Sequence, residues 1–459
     1  MKKIASLILA FSLVSAPCVA QPAGPALKSL VAGYKAAFTC SAYFNAGRTI
    51  EEISGDELTR IYSGYRAPLA ELPDAVIDEK KKTVSVSFDE NHPARVVSWR
   101  PHLGCVQLPN GADAKIASQL PQARVKENRK QIIPLPVQLS NADGLSRLVE
   151  AAFDRETYGD KSETTAILII KDGAIVAEKY RDGFDKDTPQ RTWSVAKSIA
   201  ASVIGAAVHE GLIDVDAPAG LAAWGAKNDP RAEITLENLL HMSSGLTSPH
   251  AGNRTDDIYF GGGRIVDHAV TNRLVAAPGS RWRYANNDTM IAMRALRERM
   301  NDDAVFLALP FEKLLHPIGM KNTFLETDWN GDFVLSSQVW TTARDLGRLG
   351  LLYLNDGVWN GARLLPEGWA SYVATPAPSQ PPVRANRGPG PGYGAQFWLY
   401  DERHGLPSGT YAARGNRGQY LFIVPSRNIL VVRRGFDGRP GAQFDIARFT
   451  ADVIAELAK

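Results

Sequence analysis

Apolar and polar positions alternate with a period of two over Thr83 to Phe88 (TVSVSF), and Val96 to Trp99 repeats that strand-like character among charged, proline-containing turns. Residues 21 to 130 therefore predict a small, mostly-β module. Two prolines in an apolar, extended context make Ile132 to Ser140 (IIPLPVQLS) the expected linker, over 131–142. A helix is expected from about Asp143 to Phe153. Two β-rich runs follow between Thr165 and Tyr180, split by Lys171-Asp172-Gly173, and predict a hairpin. From Ser194 to about Pro376 the pattern is helical and rich in loops. Strand runs return at Tyr420 to Val424 and Ile429 to Arg433, and a helix from about Gln443 to Leu457 closes the chain. Strands at both ends of residues 143–459 with helices between them predict an antiparallel sheet built from distant segments. This is an α+β domain, since no βαβα alternation is present. Pro376 to Gly394 is Pro- and Gly-rich and reads as a long exposed loop.

Processing changes the charge. Residues 1 to 20 read as a secretory signal peptide, with Lys2 and Lys3, an apolar stretch from Ile4 to Val14, and the exit Cys18-Val19-Ala20. A lipoprotein anchor at Cys18 is the competing reading, and Pro17 fits it poorly. The 459-residue chain carries a formal charge of +3, from 52 basic and 49 acidic residues. Loss of the two leader lysines brings this close to zero, so charge gives no argument for nucleic acid or an anionic membrane as partner. No later apolar run reaches transmembrane length, and the expected location is periplasmic or secreted. The leader also takes one of three cysteines. Cys40 and Cys105 remain, and an even count in an exported chain favours a disulfide between them over two buried thiols.

Candidate chemistry begins at Ser194-Val195-Ala196-Lys197. Serine and lysine three apart at a helix start share one face, and a buried neutral lysine can take a serine's proton without a histidine. This is the only Ser-x-x-Lys in the chain. The spacing alone also fits an ordinary N-cap serine followed by a solvated lysine. Tyr-x-Asn occurs three times. Tyr43 lies in the N-terminal segment, and Tyr353 is better read as packing in a helix. Tyr284-Ala285-Asn286 follows the turn Pro278-Gly279-Ser280, so Tyr284 is the candidate second base, its pKa lowered by the lysine, with Asn286 orienting that lysine or a substrate carbonyl. Gly415-Asn416-Arg417-Gly418-Gln419 leads into a strand, where Gln419 N–H is expected to complete an oxyanion hole with Ser194 N–H. The histidines His92, His102, His209, His250, His268, His316 and His404 show no metal-ligand spacing, so neither metal nor cofactor is expected.

The order of these elements resembles the serine β-lactamase and penicillin-binding-protein superfamily. Ile234 to Leu246 (ITLENLLHMSSGL), Pro278 to Asn286 (PGSRWRYAN), Gly319-Met320 and Gln338 to Leu352 (QVWTTARDLGRLGLL) carry the same likeness over about residues 143–459. The resemblance implies a β-lactamase/transpeptidase-like fold with a helical insertion. It implies Ser194 as acylated nucleophile, Lys197 as its activator, Tyr284 as the proton carrier, and Asn286, Asn416, Arg417, Gly418 and Gln419 around substrate and oxyanion. His241, in a structural motif of that family, is expected as a buried, hydrogen-bonded residue. The third motif departs from the family's usual lysine, reading Asn416-Arg417-Gly418, which puts β-lactam hydrolysis in doubt. Trp193 to Ser198 is similar to the 6-aminohexanoate-dimer hydrolase branch. The expected function is an exported serine hydrolase acting on a small amide or ester. The alternatives are a catalytically silent binder of peptide or peptidoglycan fragments, and a β-lactamase or D-Ala-D-Ala carboxypeptidase.

Overall fold

The computed structural model describes residues 24–459 except 113, 127–132, 141–142, 249–254, 301, 383–389 and 439–442. The expected signal peptide lies outside the described residues. Among the described residues no helix is long and apolar enough to cross a membrane.

Residues 25–107 hold helices α1 (Pro25–Ala46), α2 (Ile50–Gly55) and α3 (Ser63–Glu71), then strands β1 (Val76–Asp78), β2 (Thr83–Val86), β3 (Arg95–Arg100) and β4 (Gly104–Gln107). The two predicted strand runs are β2 and β3, at the centre of a sheet ordered β1-β2-β3-β4. The segment is therefore not mostly β, as its strand pattern predicts: α1 alone, at 22 residues, is longer than its four strands together. α1 is hard to see in sequence because its middle turns are buried all round, from Val31 to Phe38 with little interruption, so no polar face marks a period of 3.6. The expected disulfide Cys40–Cys105 ties α1 to β4.

The remaining chain forms α4 (Asp143–Ala151), β5 (Thr164–Lys171), β6 (Ala174–Tyr180) and β7 (Gln190–Arg191), then helix α5 (Val195–His209), which Ser194 caps. Helices α6 (Leu236–Leu240), α7 (Asp256–Tyr259), α8 (Ile265–His268), α9 (Asn286–Glu298) and α10 (Asp303–Pro310) make up the helical insertion. β9 (Val339–Thr341) lies between β7 and β8 (Phe324–Leu325) in a small sheet; α11 (Ala343–Leu354), the hairpin β10 (Val358–Trp359) and β11 (Ala362–Arg363), and α12 (Trp369–Ala374) follow. β12 (Gly392–Tyr393), β13 (Trp398–Tyr400), β14 (Thr410–Gly415), β15 (Gln419–Val424) and β16 (Ile429–Gly435) precede α13 (Ile446–Glu456). The main sheet runs β12-β13-β14-β15-β16-β5-β6 and is antiparallel throughout. Its two chain-distant parts join where Leu168 pairs with Val432, as the strand runs at both ends predict.

One face of this sheet packs on α4 and α13, through Ile167, Ile169, Phe422 and Phe449. The other packs on α5 and α11, in a continuous core that also takes in Val31 and Phe38 of α1. The expected linker runs beside β6: Val137 bridges Ile175, and Gln138 N–H donates to the Ile175 carbonyl at 2.8 Å. Residues before and after it thus share one apolar core.

Candidate active site

Ser194 is the N-cap of α5, but its side chain caps nothing, and Lys197 one turn later is only 1% exposed. A helix-capping serine with a solvated lysine is therefore not what the structure contains. The turn that presents Ser194 is strained. Trp193 sits in the left-handed region at φ 51°, where a bulky residue is rarely found. Packing holds it there: the Arg191 guanidinium lies 4.1 Å from its ring, with Phe38 at 5.7 Å and Tyr62 at 6.2 Å.

Three acceptors surround Lys197 Nζ. It donates to Asn286 Oδ1 and to the Ser336 carbonyl, each at 2.6 Å, and Ser194 Oγ lies at 3.3 Å. Burial lowers the Lys197 pKa from 10.5 to about 7, because desolvation penalises the ammonium. A neutral amine has two N–H bonds and one lone pair. Asn286 and Ser336 use both hydrogens, which leaves the lone pair for the Ser194 hydroxyl. Asn286, the first residue of α9, thus orients the lysine as expected. Ser336 had no signal in the sequence, because it works through its carbonyl and any residue type could have supplied one.

Tyr284 comes from the loop before α9 and is hydrogen-bonded to Ser194. Its ring stacks on Trp398 at 5.5 Å and meets Tyr393 edge-on at 6.0 Å; Lys197 Nζ is 5.0 Å from its centroid. The expected fall in its pKa is not found. Desolvation pushes the phenol up to about 12, opposed by the Ser194 hydrogen bond and the charge of Arg414. Burial outweighs both, and a lysine whose own pKa is about 7 is only about half charged at neutral pH. Tyr284 is therefore a phenol in the resting site, able to donate a proton before it accepts one.

The third motif is in a different register from the expected one. Gly415, at the end of β14, is the glycine that meets the nucleophile. A Cβ there would stand 2.2 Å from the Thr192 carbonyl oxygen and 3.2 Å from Ser194 N, so only glycine allows this approach. The chain then turns through Asn416, Arg417 (φ 58°) and Gly418 (φ 77°). Gln419 lies opposite Gly415 on β15, and its side chain is taken up by Arg434, Gly435 and Arg417. Gly418 backs onto Arg433, whose Nη1 would be overrun by a Cβ. Arg417 does not face substrate: its guanidinium donates to the carbonyls of Asp56, Thr59 and Glu57 at 2.9, 3.0 and 3.2 Å. Of the expected third-motif residues, Asn416 follows Gly415 directly into the turn, and the side chains of Arg417 and Gln419, with Gly418 against Arg433, anchor the hairpin.

His241 is buried as expected. Among the described residues neither ring nitrogen has a partner within 3.5 Å; Glu237, one turn earlier, comes nearest, with Oε1 3.9 Å from Nδ1, and the Tyr372 ring packs edge-on at 5.5 Å. Tyr353 is a packing residue in α11, with its hydroxyl 2.8 Å from Ser202 Oγ beneath α5. Among the described residues no group of three or more His, Cys, Asp or Glu side chains is arranged to hold a metal ion.

A family model described as Beta-lactamase matches residues 149–434, which take in Ser194, Lys197, Tyr284 and Gly415. The 6-aminohexanoate-dimer hydrolase of Paenarthrobacter ureafaciens is 24% identical over 352 residues, covering 70% of this chain and 84% of the relative. The solved structure of a family VIII carboxylesterase superposes with a TM-score of 0.54 at 16% identity, covering 70% of this chain and 99% of that one. A penicillin-binding-protein homologue from Caulobacter crescentus gives 0.55 at 15% identity, with 71% and 100% covered. With more than half its length matched and this sheet-and-helix architecture around a Ser-x-x-Lys helix, the chain belongs to the beta-lactamase family.

Proposed function

We propose that the protein is an exported serine hydrolase that cleaves a small amide or carboxyl ester through an acyl-enzyme on Ser194. The observation that carries this reading is the Lys197 amine, buried, near neutrality and fixed by two acceptors so that its lone pair serves the Ser194 hydroxyl. Lys197 takes the Ser194 proton as Oγ attacks the substrate carbonyl carbon. The oxyanion that forms accepts from Ser194 N–H and Asn416 N–H, the donor that follows Gly415 where β14 enters its turn. Tyr284 gives its proton to the departing alcohol or amine and regains one from the Lys197 ammonium. Water then attacks the ester carbon as the neutral Lys197 amine takes its proton, and that proton passes to Ser194 Oγ as the carbon–Oγ bond breaks, freeing the acid and restoring the serine.

The names of the relatives, an amide hydrolase and a carboxylesterase, support this substrate class. The third motif favours it over β-lactams. The residues before Gly415 are Ala413 and Arg414, and Arg414 Nη1 is engaged by the Tyr400 hydroxyl at 2.6 Å. The leader pattern and the disulfide support an oxidising compartment. A fluorophosphonate probe tests the reading directly. The label should fall on the Ser194 peptide by mass spectrometry and vanish in Ser194→Ala, and folded wild-type protein that takes no label sinks the proposal. Turnover of p-nitrophenyl esters and short linear amides, with a chromogenic cephalosporin left intact, is the expected substrate pattern.

A further inference from the structure

We infer that residues 38–62, which precede the family-matched region, are part of the catalytic apparatus: they fix both backbone donors of the oxyanion site, with Arg417 as the principal positioning residue. The inference rests on the hydrolase reading above. Each donor has a neighbour in sequence that is anchored to this segment. On the Ser194 side that neighbour is Trp193, whose left-handed backbone is held against Phe38 of α1 and Tyr62 at the start of α3. Arg191 reinforces the contact, its guanidinium 4.5 Å from the Phe38 ring and 4.1 Å from the Trp193 ring. The same guanidinium donates to Ser337 Oγ at 3.0 Å, one residue from the carbonyl that holds Lys197.

On the Asn416 side the neighbour is Arg417. Its three carbonyl partners, on Asp56, Glu57 and Thr59, lie just past the C-terminal end of α2. Burying a guanidinium costs heavily unless its N–H groups are matched, so a side chain only 7% exposed and spent on three carbonyls is a geometric clamp. The clamp acts on a three-residue turn, Asn416 to Gly418, whose other end is already fixed by Gly418 against Arg433 and Asp437. With both ends held, the Asn416 N–H has one direction relative to Ser194. Oxyanion donors work only within about 2.7–3.1 Å of the developing charge, and a displacement of about 1 Å costs on the order of 100-fold in rate.

The test compares Arg417→Ala, Arg417→Lys and Tyr62→Leu with wild type on one ester substrate, together with the affinity of a boronic acid that forms a tetrahedral adduct on Ser194. Arg417→Ala should lower kcat by about 10- to 100-fold with KM within about threefold, and weaken the boronate by a similar factor. Arg417→Lys, which can still reach one carbonyl, should recover part of both losses. Tyr62→Leu should show the same split more mildly, and it supplies the answer if Arg417→Ala does not fold. A folded Arg417→Ala or Tyr62→Leu with unchanged kcat and boronate affinity overturns the inference, as does a loss confined to KM. Wild-type protein that neither labels nor turns over ester instead overturns the hydrolase reading, and shows this before any variant is compared.

Discussion

If Lys197 is the proton acceptor, the pH-rate profile is set by Asn286. In the wild type kcat/KM should rise through an apparent pKa of about 7 and then stay flat, because Tyr284 is pushed up to about 12. Asn286→Asp places a carboxylate where the amide oxygen now lies, 2.6 Å from Nζ. An opposite charge at that range stabilises the ammonium and raises its pKa. Coulomb's law at an effective dielectric of about 20 caps the effect at roughly 6 kcal/mol, and desolvation of the new carboxylate reduces it. Measured shifts for such pairs are about 1–3 units, or about 1.4–4 kcal/mol at 1.36 kcal/mol per unit. The limb should therefore move from about 7 to about 8–10. At pH 7 the variant should lose about 5- to 500-fold, because the wild-type lysine is itself about half protonated there, and most of that loss should disappear by about pH 10. The assay is kcat/KM for an ester from pH 5 to 10.5, corrected for spontaneous hydrolysis. A variant limb still at about 7, with a loss equal at every pH, would show that Asn286 does not govern the lysine. A wild-type profile flat down to pH 5 would remove Lys197 from the role of base.

Gly415→Ala should abolish activity by more than about 100-fold, since its Cβ would stand 2.2 Å from the Thr192 carbonyl oxygen and must displace the Ser194 turn; near-normal turnover would mean that β14 is not the wall of the site. Reducing Cys40–Cys105, or replacing both with serine, should cost about 4 kcal/mol by loop-closure entropy for cysteines 65 residues apart, read as a lower urea midpoint. An unchanged midpoint would mean the denatured chain gains nothing from losing the bridge. His241→Met should leave kcat within about threefold and stability within about 1.5 kcal/mol, as a buried ring without hydrogen bonds exchanged for an apolar side chain of similar size; a 1,000-fold loss of activity would restore it to the chemistry.

The legible part of the site was the part encoded by short spacing. Ser194 and Lys197 share one helix turn, and Tyr284 was separable from Tyr43 and Tyr353 because it follows a Pro-Gly turn, whereas Tyr353 continues an apolar stripe. The third motif was visible as a hairpin but misread by register. Gly415 and Gly418 stand three apart, and which of them touches Ser194 is decided by the pairing of β14 with β15 and its seat beside Thr192, which no local pattern reveals. Arg417 read as a substrate residue because an arginine in a glycine-rich turn is usually exposed, and here a distant carbonyl cluster takes it. The main sheet was foreseen from its terminal strands. α1 was not, because a helix covered on all sides loses the amphipathic signature.

The join between β5 and β16 also has a kinetic meaning. Arg433 donates to Thr164 Oγ1 across 269 positions of chain, so the β5–β16 pair cannot close until that whole intervening stretch has been made. Closing so long a loop costs conformational entropy before any contact repays it, which places this fold at the slow, high-contact-order end of the scale. During synthesis the β5–β6 hairpin and the helices after it would wait, unpaired on their β16 side, for the last strands. On the export proposed above, that delay would favour passage of an unfolded chain through a membrane, because the sheet cannot be completed before β16 is present.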